Sequence, residues 1–236
     1  MVKGLELFSE HFDSYKKHYV IIGGVACAIH EEINLQKARA TKDIDLILVI
    51  EELNPKFAHH FWKFIREGGY KSKQKADNQR ELYRFTHPTD TRYPAQIELF
   101  SKDVGFERYA PDIPTIPIPI DEDISSLSAI LMDTDYYQFT LSHSSVVNGI
   151  HIANKEALIC LKARAYNDLC GRKSQGEPID SRNIRKHKND IFRLGITFYE
   201  TDRFVLPNSI LQDWHIFLEK ISNDLPTKDL FKSAGL

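Results

Sequence analysis

Two aspartates separated by a single residue, Asp43 and Asp45, are the residues in this sequence best suited to chemistry. They lead into Leu46–Ile50, a run of branched apolar residues that predicts a buried strand. Because side chains alternate between the faces of a strand, both carboxylates should project from one face. Mg²⁺ is commonly held by a few carboxylates together with substrate phosphates. The pair therefore predicts a divalent-metal site, although Asp-x-Asp also occurs by chance at strand ends.

A glycine turn precedes the aspartates and predicts a site for phosphate. The apolar run Tyr19–Ile22 indicates a short strand that stops at Gly23 and Gly24, and the small apolar residues after them can open a helix. Backbone N–H groups at the start of a helix attract anions, and glycines let a bulky anion approach closely. A turn of this kind beside two carboxylates suits a metal-bound phosphate, whereas a Gly-Gly pair alone is most often only a turn.

A third carboxylate, Glu98, is the single acid in the strand-like run Ala95–Phe100. On a neighbouring strand it would complete a site for two metal ions, which serve the attacking and leaving oxygens when they lie about 3.5–4 Å apart. An isolated acid in a strand usually faces water instead. The order of Gly-Gly, Asp-x-Asp and a strand acid resembles the DNA polymerase β-type nucleotidyltransferase superfamily.

Composition limits the class of protein. The chain has 236 residues, of which 42% are hydrophobic and 27% charged, and its net charge is −2. These values exclude a disordered chain and one that binds nucleic acid through its overall charge. No apolar run approaches the roughly 20 residues of a membrane span, so we expect a cytoplasmic protein with no membrane partner. The three cysteines are far apart and odd in number, which predicts reduced thiols.

The acids must be positioned by a mixture of helices, strands and loops. Amphipathic helices are predicted over Leu5–Lys17 and Pro55–Arg66, and a strand over Leu82–Thr86. The polar, basic run Lys71–Arg80 predicts a solvated loop. The proline-spaced stretch Ser101–Asp135 predicts a connection between two domains, because its prolines cannot sit in a central strand.

The second half of the chain begins with a hairpin and continues with helices. Asn148-Gly149 predicts a tight turn that joins the runs Tyr136–Val147 and Ile150–Ala153, because both central positions of that turn need positive φ. The helices predicted after it are Asn154 to about Leu169, Ser181–Glu200 and Ile210–Ile221. We therefore predict an α+β fold, in which a mixed sheet flanked by helices occupies residues 1–148 and a helical domain occupies residues 149–236.

The helical part carries a basic segment. Between residues 162 and 193 nine Lys and Arg face four Asp and Glu, a net charge of +5 in a chain whose total is −2. Such a segment usually forms a solvated face, but opposite an acidic metal site it would supply a positive wall for a triphosphate or an RNA backbone. Arg164, Arg185 and Lys186 are the candidates for these contacts.

Two segments, Leu161–Leu169 and Lys186–Leu194, resemble the C-terminal signature of the AbiEii/AbiGii-type nucleotidyltransferase toxins. The Gly-Gly-x-Ala and Arg-x-Thr-x-Asp-x-Asp segments resemble the same family, so the likeness extends over about residues 19 to 194. It implies that Lys162 and Asp190 belong to the active site. It also implies Mg²⁺, a nucleoside triphosphate donor, abortive-infection or toxin–antitoxin biology with a cognate antitoxin, and often a tRNA acceptor.

The sequence thus predicts a Mg²⁺-dependent nucleotidyltransferase that transfers a nucleoside monophosphate to an acceptor hydroxyl, with the active site between its two domains. The predicted metal ligands are Asp43, Asp45 and Glu98, the last also a candidate base. The predicted triphosphate contacts are Gly23, Gly24, Arg39, Lys42 and Lys162. The family often has Gly-Ser where this chain has Gly-Gly, which removes a hydroxyl contact to phosphate. An RNA 3′ end, a protein hydroxyl as acceptor, and an inactive binding-only relative remain open.

Overall fold

The computed structural model describes residues 2–77, 80–101, 116–117 and 133–235, with only the backbone of 72–77, 80–83, 101 and 116–117. The chain divides into two compact units. The sheet unit comprises Met1–Ala26, Ala40–Pro119 and Ser144–Ala153, and the helical unit comprises Cys27–Arg39, Ile120–His143 and Asn154–Leu236. Most of the predicted connection Ser101–Asp135 lies outside the described residues.

The described residues of the sheet unit form one mixed eight-stranded sheet in the order β6-β3-β4-β5-β2-β1-β8-β7. Its strands are β1 Tyr19–Ile22, β2 Asp43–Leu48, β3 Lys71–Asp77, β4 Arg80–Thr86, β5 Gln96–Ser101, β6 Ile116–Pro117, β7 Ser144–Val147 and β8 Ile150–Ala153. At the centre, β2 pairs antiparallel with β1 and parallel with β5. Central strands of this kind are held on both sides, so residues of β2 have fixed neighbours on β1 and β5.

The helices are α1 Leu5–His11, α2 Gly23–Ile33, α3 Pro55–Glu67, α4 Thr134–Ser142, α5 Lys155–Ser174, α6 Ser181–Gly195, α7 Asn208–Ile221 and α8 Lys228–Ser233. Short 3₁₀ turns occupy Asp13–His18 and Ile50–Glu52. None of the helices that the structure describes combines the length and apolarity needed to cross a membrane. The α+β class, the mixed sheet flanked by helices and the helical C-terminal part are confirmed.

An aromatic core joins α1 and α3 to the sheet. The Phe8 ring of α1 meets Tyr19 of β1 edge-on at 5.4 Å between centroids, and it meets Phe64 of α3 at 5.8 Å. On α3, Trp62 contacts Phe85 of β4 in the same edge-on manner at 5.5 Å. Edge-to-face contacts of this kind add to the free energy gained by burying the rings. These contacts fix one face of the sheet.

Three predicted elements differ from the structure. The helix predicted over Leu5–Lys17 ends at His11, because the backbone turns where the fully buried Phe12 enters the core. The run Lys71–Arg80 was predicted to be a loop, but Lys71–Asp77 is strand β3, whose backbone pairs with β4 at seven positions. The helix predicted to reach Glu200 stops at Gly195.

The hairpin prediction is confirmed at its turn and wrong in the length of its first arm. Asn148 and Gly149 have φ of 49° and 82°, as the tight turn requires. The first arm begins only at Ser144, because the residues before it form α4. In α4 the Asp133 side chain accepts a hydrogen bond from the Asp135 N–H and caps the helix. The boundary predicted after residue 148 falls in this hairpin, which belongs to the sheet unit.

One buried carboxylate, Asp213, ties three helices of the helical unit together. Its Oδ2 accepts hydrogen bonds from the Tyr136 hydroxyl at 2.8 Å and from Arg164 Nη1 at 2.7 Å. Its backbone carbonyl accepts a third from Asn167 Nδ2 at 2.8 Å. These partners lie on α4 and α5, whereas Asp213 lies on α7. The carboxylate is therefore compensated by a cation and a hydroxyl, as a buried charge requires.

A second buried ion pair joins Glu31 of α2 to Arg193 of α6. Glu31 Oε1 accepts from Arg193 Nε at 2.7 Å, and Oε2 accepts from Nη2 at 3.0 Å. Oε2 also accepts from the backbone N–H of Arg39 at 3.1 Å. The side chains are 2% and 6% exposed. This bidentate pair, with the Arg39 N–H, gives both carboxylate oxygens a hydrogen-bond donor.

We expect Arg193→Met to lower the free energy of unfolding by about 3–5 kcal/mol, because it leaves the Glu31 charge buried without its partner. The double variant Glu31→Leu/Arg193→Met should recover most of that loss, since it removes both charges. Urea unfolding followed by circular dichroism measures both changes. A double variant as unstable as the single one would show that the helical unit depends on the pair itself.

Candidate active site

The sheet register places the acids in a row. Across β1 and β2, Ile22 is the partner of Asp45, and across β2 and β5, Asp45 is the partner of Glu98. The glycine turn starts one residue after Ile22, where α2 begins at Gly23. Asp45 therefore lies between the end of the strand that feeds the turn and the strand acid Glu98.

Asp43 and Asp45 share one face of β2, as the alternation predicts. Ile44, Leu46 and Leu48 on the other face are buried, whereas the two aspartates are partly exposed. Burying the apolar face fixes the register of the strand, because a shift by one residue would bury both acids. The two carboxylates are thus held side by side and accessible.

Gly23 lies directly against the Asp45 carboxylate. A Cβ built at Gly23 would lie 1.9 Å from Asp45 Oδ2, and φ there is +68°. Only glycine meets both conditions at low cost. The carboxylate consequently packs directly against the backbone at the first residue of α2. The first backbone N–H groups of a helix lack partners within the helix, so this turn is a candidate site for phosphate oxygens.

Glu98 is held by two neighbours that the sequence did not single out. Its Oε1 accepts from Arg84 Nε at 2.9 Å and from Gln96 Nε2 at 2.8 Å. Burial raises the pKa of the Glu98 carboxyl, and the Asp43 carboxylate raises it further, while Arg84 opposes both. Arg84 lies opposite Glu98 in the pairing of β4 with β5, so the sequence feature that could have identified it is an opposite charge on the adjacent strand. Oε1 is therefore engaged within the sheet, and a side-chain hydrogen bond between Glu98 and Asp45 joins the two acids directly.

The described residues could provide only some of the ligands of a metal ion, and substrate phosphates would provide others. Among the residues that the structure describes, no group of three or more His, Cys, Asp or Glu could hold a metal ion. Mg²⁺ is usually bound by one or two carboxylates plus substrate phosphates and waters. Asp43 and Asp45, two carboxylates at a turn suited to phosphate, match this second mode.

In the helical unit the structure brings together three other predicted residues. Asp190 Oδ2 accepts from Lys162 Nζ at 2.7 Å, and Oδ1 accepts from Arg39 Nε at 3.2 Å. The side chains of Lys162 and Asp190 are 7% and 2% exposed, but that of Arg39 is 37% exposed. Lys162 thus forms a buried ion pair with Asp190, which also anchors the more accessible Arg39.

The electrostatics of this cluster agree with its contacts. Burial alone would raise the pKa of Asp190, but Lys162 and Arg39 lower it to about 2. Burial, reinforced by the Lys162 charge, lowers the pKa of His187 to about 3. At neutral pH the aspartate is therefore ionised and His187 is neutral. The nearby Cys27 thiol stays protonated because burial raises its pKa to about 12, and all three cysteines are free, as predicted.

The remaining predicted residues are dispersed. Lys42 is exposed immediately before β2 in the sheet unit, and Gly24 is the second residue of α2. Arg164 is bonded to Asp213, while Arg185 and Lys186 are exposed on α6. The predicted acids and glycines therefore lie in the sheet unit, and the Lys162–Asp190 pair and the predicted basic residues other than Lys42 lie in the helical unit.

No protein-family model matches the sequence, and no curated protein matches it. Among solved structures, the chain is similar to an antigenic nucleotidyltransferase-like protein from Paracoccidioides brasiliensis, with 15% identity, a TM-score of 0.46, and 97% of this chain and 90% of that chain covered. It is also similar to MenT4, a nucleotidyltransferase toxin from Mycobacterium tuberculosis H37Rv, with 12% identity, a TM-score of 0.25, and again 97% and 90% covered. Because both TM-scores are low, the proposed function rests on this chain's own residues.

We expect Gly23→Ala to impair ligand binding more than folding. The change should cost about 1–2 kcal/mol for a left-handed alanine and push the Asp45 carboxylate away from the turn. Mg²⁺-tripolyphosphate, which lacks a base, should then bind roughly tenfold more weakly in calorimetry. Gly171→Ala is the matched control, because nothing lies within 4 Å of a Cβ at that position in α5. Wild-type affinity in Gly23→Ala would contradict the assignment of the turn to phosphate.

Proposed function

We propose that this protein is a Mg²⁺-dependent nucleotidyltransferase that transfers a nucleoside monophosphate from a nucleoside triphosphate to an acceptor hydroxyl. The observation that carries the proposal is the position of Asp45. It packs against Gly23 at the start of α2, pairs in register with Glu98, and shares its strand face with Asp43. The acids proposed to bind the metal therefore lie directly beside the turn proposed to bind phosphate.

The chemistry follows from this arrangement. Backbone N–H groups at Gly23 and Gly24 would bind the triphosphate oxygens, and Asp43 and Asp45 would hold Mg²⁺ together with those phosphates. Mg²⁺, when bound, neutralises the charge of the triphosphate. The acceptor oxygen attacks the α-phosphorus in line, the bond to the bridging oxygen breaks, and pyrophosphate leaves. The protein contributes mainly positioning and charge compensation.

Glu98 is proposed as the third carboxylate and as the candidate base that takes the acceptor proton. Arg84 and Gln96 hold Oε1 and thereby orient the carboxyl group for this role. That Lys162 and Asp190 belong to the active site stays a prediction from the family resemblance. Their buried ion pair gives Lys162 a fixed position, but it also means that a triphosphate would have to compete with Asp190 for the ammonium group.

The finer proposal is a toxin of the AbiEii/AbiGii type that acts in abortive infection, with a cognate antitoxin as partner and a tRNA 3′ end as acceptor. What supports an RNA acceptor is the basic segment of the helical unit, where Arg185 and Lys186 are exposed on α6. Backbone phosphates are bound by such residues with little reading of bases. A protein hydroxyl is the competing acceptor.

The purified protein should transfer label from α-³²P nucleotides to RNA in a mixture of Mg²⁺, total RNA and cell lysate. We expect Asp45→Asn to reduce this transfer by about 100-fold or more, because the metal loses a charged ligand while the strand keeps its shape. Asp229→Asn, the same change at an exposed acid of α8, is the matched control. Undiminished transfer by Asp45→Asn would refute the site, and label on protein alone would replace RNA with a protein acceptor.

A further inference from the structure

The helical unit contains a cavity of about 270 Å³, and Arg185 is the only one of its lining residues that the proposed function uses. Its lining residues are Tyr166, Ser181, Ile184, Arg185, Lys188 and Asp224. The four from α6 follow the spacing i, i+3, i+4, i+7, so they share one face of that helix. Tyr166 comes from α5, and Asp224 follows the end of α7. Three chain segments therefore converge on the cavity.

The charge of the cavity favours an anion. Lys188 is 8% exposed, and its Nζ donates to the backbone carbonyl of Asp224 at 3.0 Å and to its Oδ2 at 2.6 Å. An ammonium group has three donors, so these contacts leave one for a ligand. Asp224 offsets the charge of Lys188, and Arg185 then gives the lining a net positive charge. Ser181, the first residue of α6, also lines the cavity, and the Asp180 carboxylate caps that end of the helix by accepting from the Arg182 N–H.

The walls and size restrict the ligand further. The Tyr166 ring is fixed edge-on against Phe217 at 5.2 Å, and with Ile184 it supplies an apolar wall. Ser181 adds a hydroxyl that contacts Lys173 Nζ. Pockets for drug-sized ligands measure about 300–1,000 Å³, so this cavity suits a smaller group than a whole nucleoside triphosphate.

We propose that the cavity binds a ribose-phosphate unit. Arg185 and Lys188 hold the phosphate, and Tyr166 and Ile184 contact the sugar. The unit can belong to a free sugar phosphate or to an RNA chain. In the second case the cavity holds part of the acceptor, and only that extension rests on the proposed nucleotidyl transfer.

Asp224 is the one acidic residue among the described residues that line the cavity. Its carboxylate competes with a bound phosphate for Lys188, so removing its charge should strengthen binding while removing Arg185 weakens it. The side chain of Asp224 is 66% exposed, and Arg185 is also exposed, so neither change disturbs a packed core. Opposite effects of two substitutions at one cavity are not expected from a general loss of folding.

The test is calorimetric titration of the whole protein with ribose 5-phosphate and, separately, with a short single-stranded oligoribonucleotide, without Mg²⁺ or nucleoside triphosphate. Arg185→Ala should weaken both by roughly tenfold, and Asp224→Asn should tighten both. The matched control Arg182→Ala removes an exposed α6 arginine that is bonded to Asp180 and does not line the cavity, and should change affinity less than about twofold. Tighter binding of the oligoribonucleotide identifies RNA as the source, and equal binding identifies a free sugar phosphate.

Equal losses in Arg185→Ala and Arg182→Ala would overturn the proposal, because they would indicate general charge attraction. No binding by the wild-type protein, or weaker binding by Asp224→Asn, would overturn it as well. The outcome is separate from nucleotidyl transfer, since the titrations contain neither Mg²⁺ nor a nucleoside triphosphate and measure binding alone. A protein that binds them without transferring label would retain the cavity proposal and lose the enzymatic one.

Discussion

The approach of Asp45 to the backbone at Gly23 is the constraint on which the candidate site depends. It requires a residue without a Cβ, a positive φ, and a register in which Ile22 of β1 lies opposite Asp45 of β2. That register is set by burial of the alternate residues of β2, and the parallel pairing with β5 brings Glu98 to the other side. The alternation of apolar and acidic residues along β2 therefore determines both how the sheet packs and where the acids lie.

The two units handle buried charge differently. In the sheet unit Glu98 is compensated by Arg84, while Asp43 and Asp45 remain partly exposed. In the helical unit Asp190 is nearly inaccessible and is compensated by Lys162 and Arg39. A partly exposed carboxylate can be reached by a cation from solution, whereas a buried, fully paired carboxylate can be reached only after its partners move. The sheet unit is accordingly the better candidate for metal chemistry.

The sequence predicted the core of the sheet and the row of acids because each rests on a local signal. Alternation located Asp43 and Asp45 on one face, and the Asn148-Gly149 turn fixed the hairpin register. Tertiary pairing accounts for the failures: β3 is polar in sequence and is a strand because its backbone pairs with β4. Arg84 was overlooked because its role depends on which strand lies beside β5, and the pairing of Lys162 with Asp190 depends on how α5 packs against α6.

The most direct test of the central claim is the position of a bound cation. Crystals of the protein grown with Mn²⁺ and a non-hydrolysable nucleoside triphosphate would reveal it through anomalous scattering. The account predicts Mn²⁺ coordinated by carboxylate oxygens of Asp43 and Asp45, at about the 2.1 Å typical of such hard cations, with triphosphate oxygens at Gly23 and Gly24. Mn²⁺ and triphosphate bound elsewhere, with these two aspartates unliganded, would contradict it.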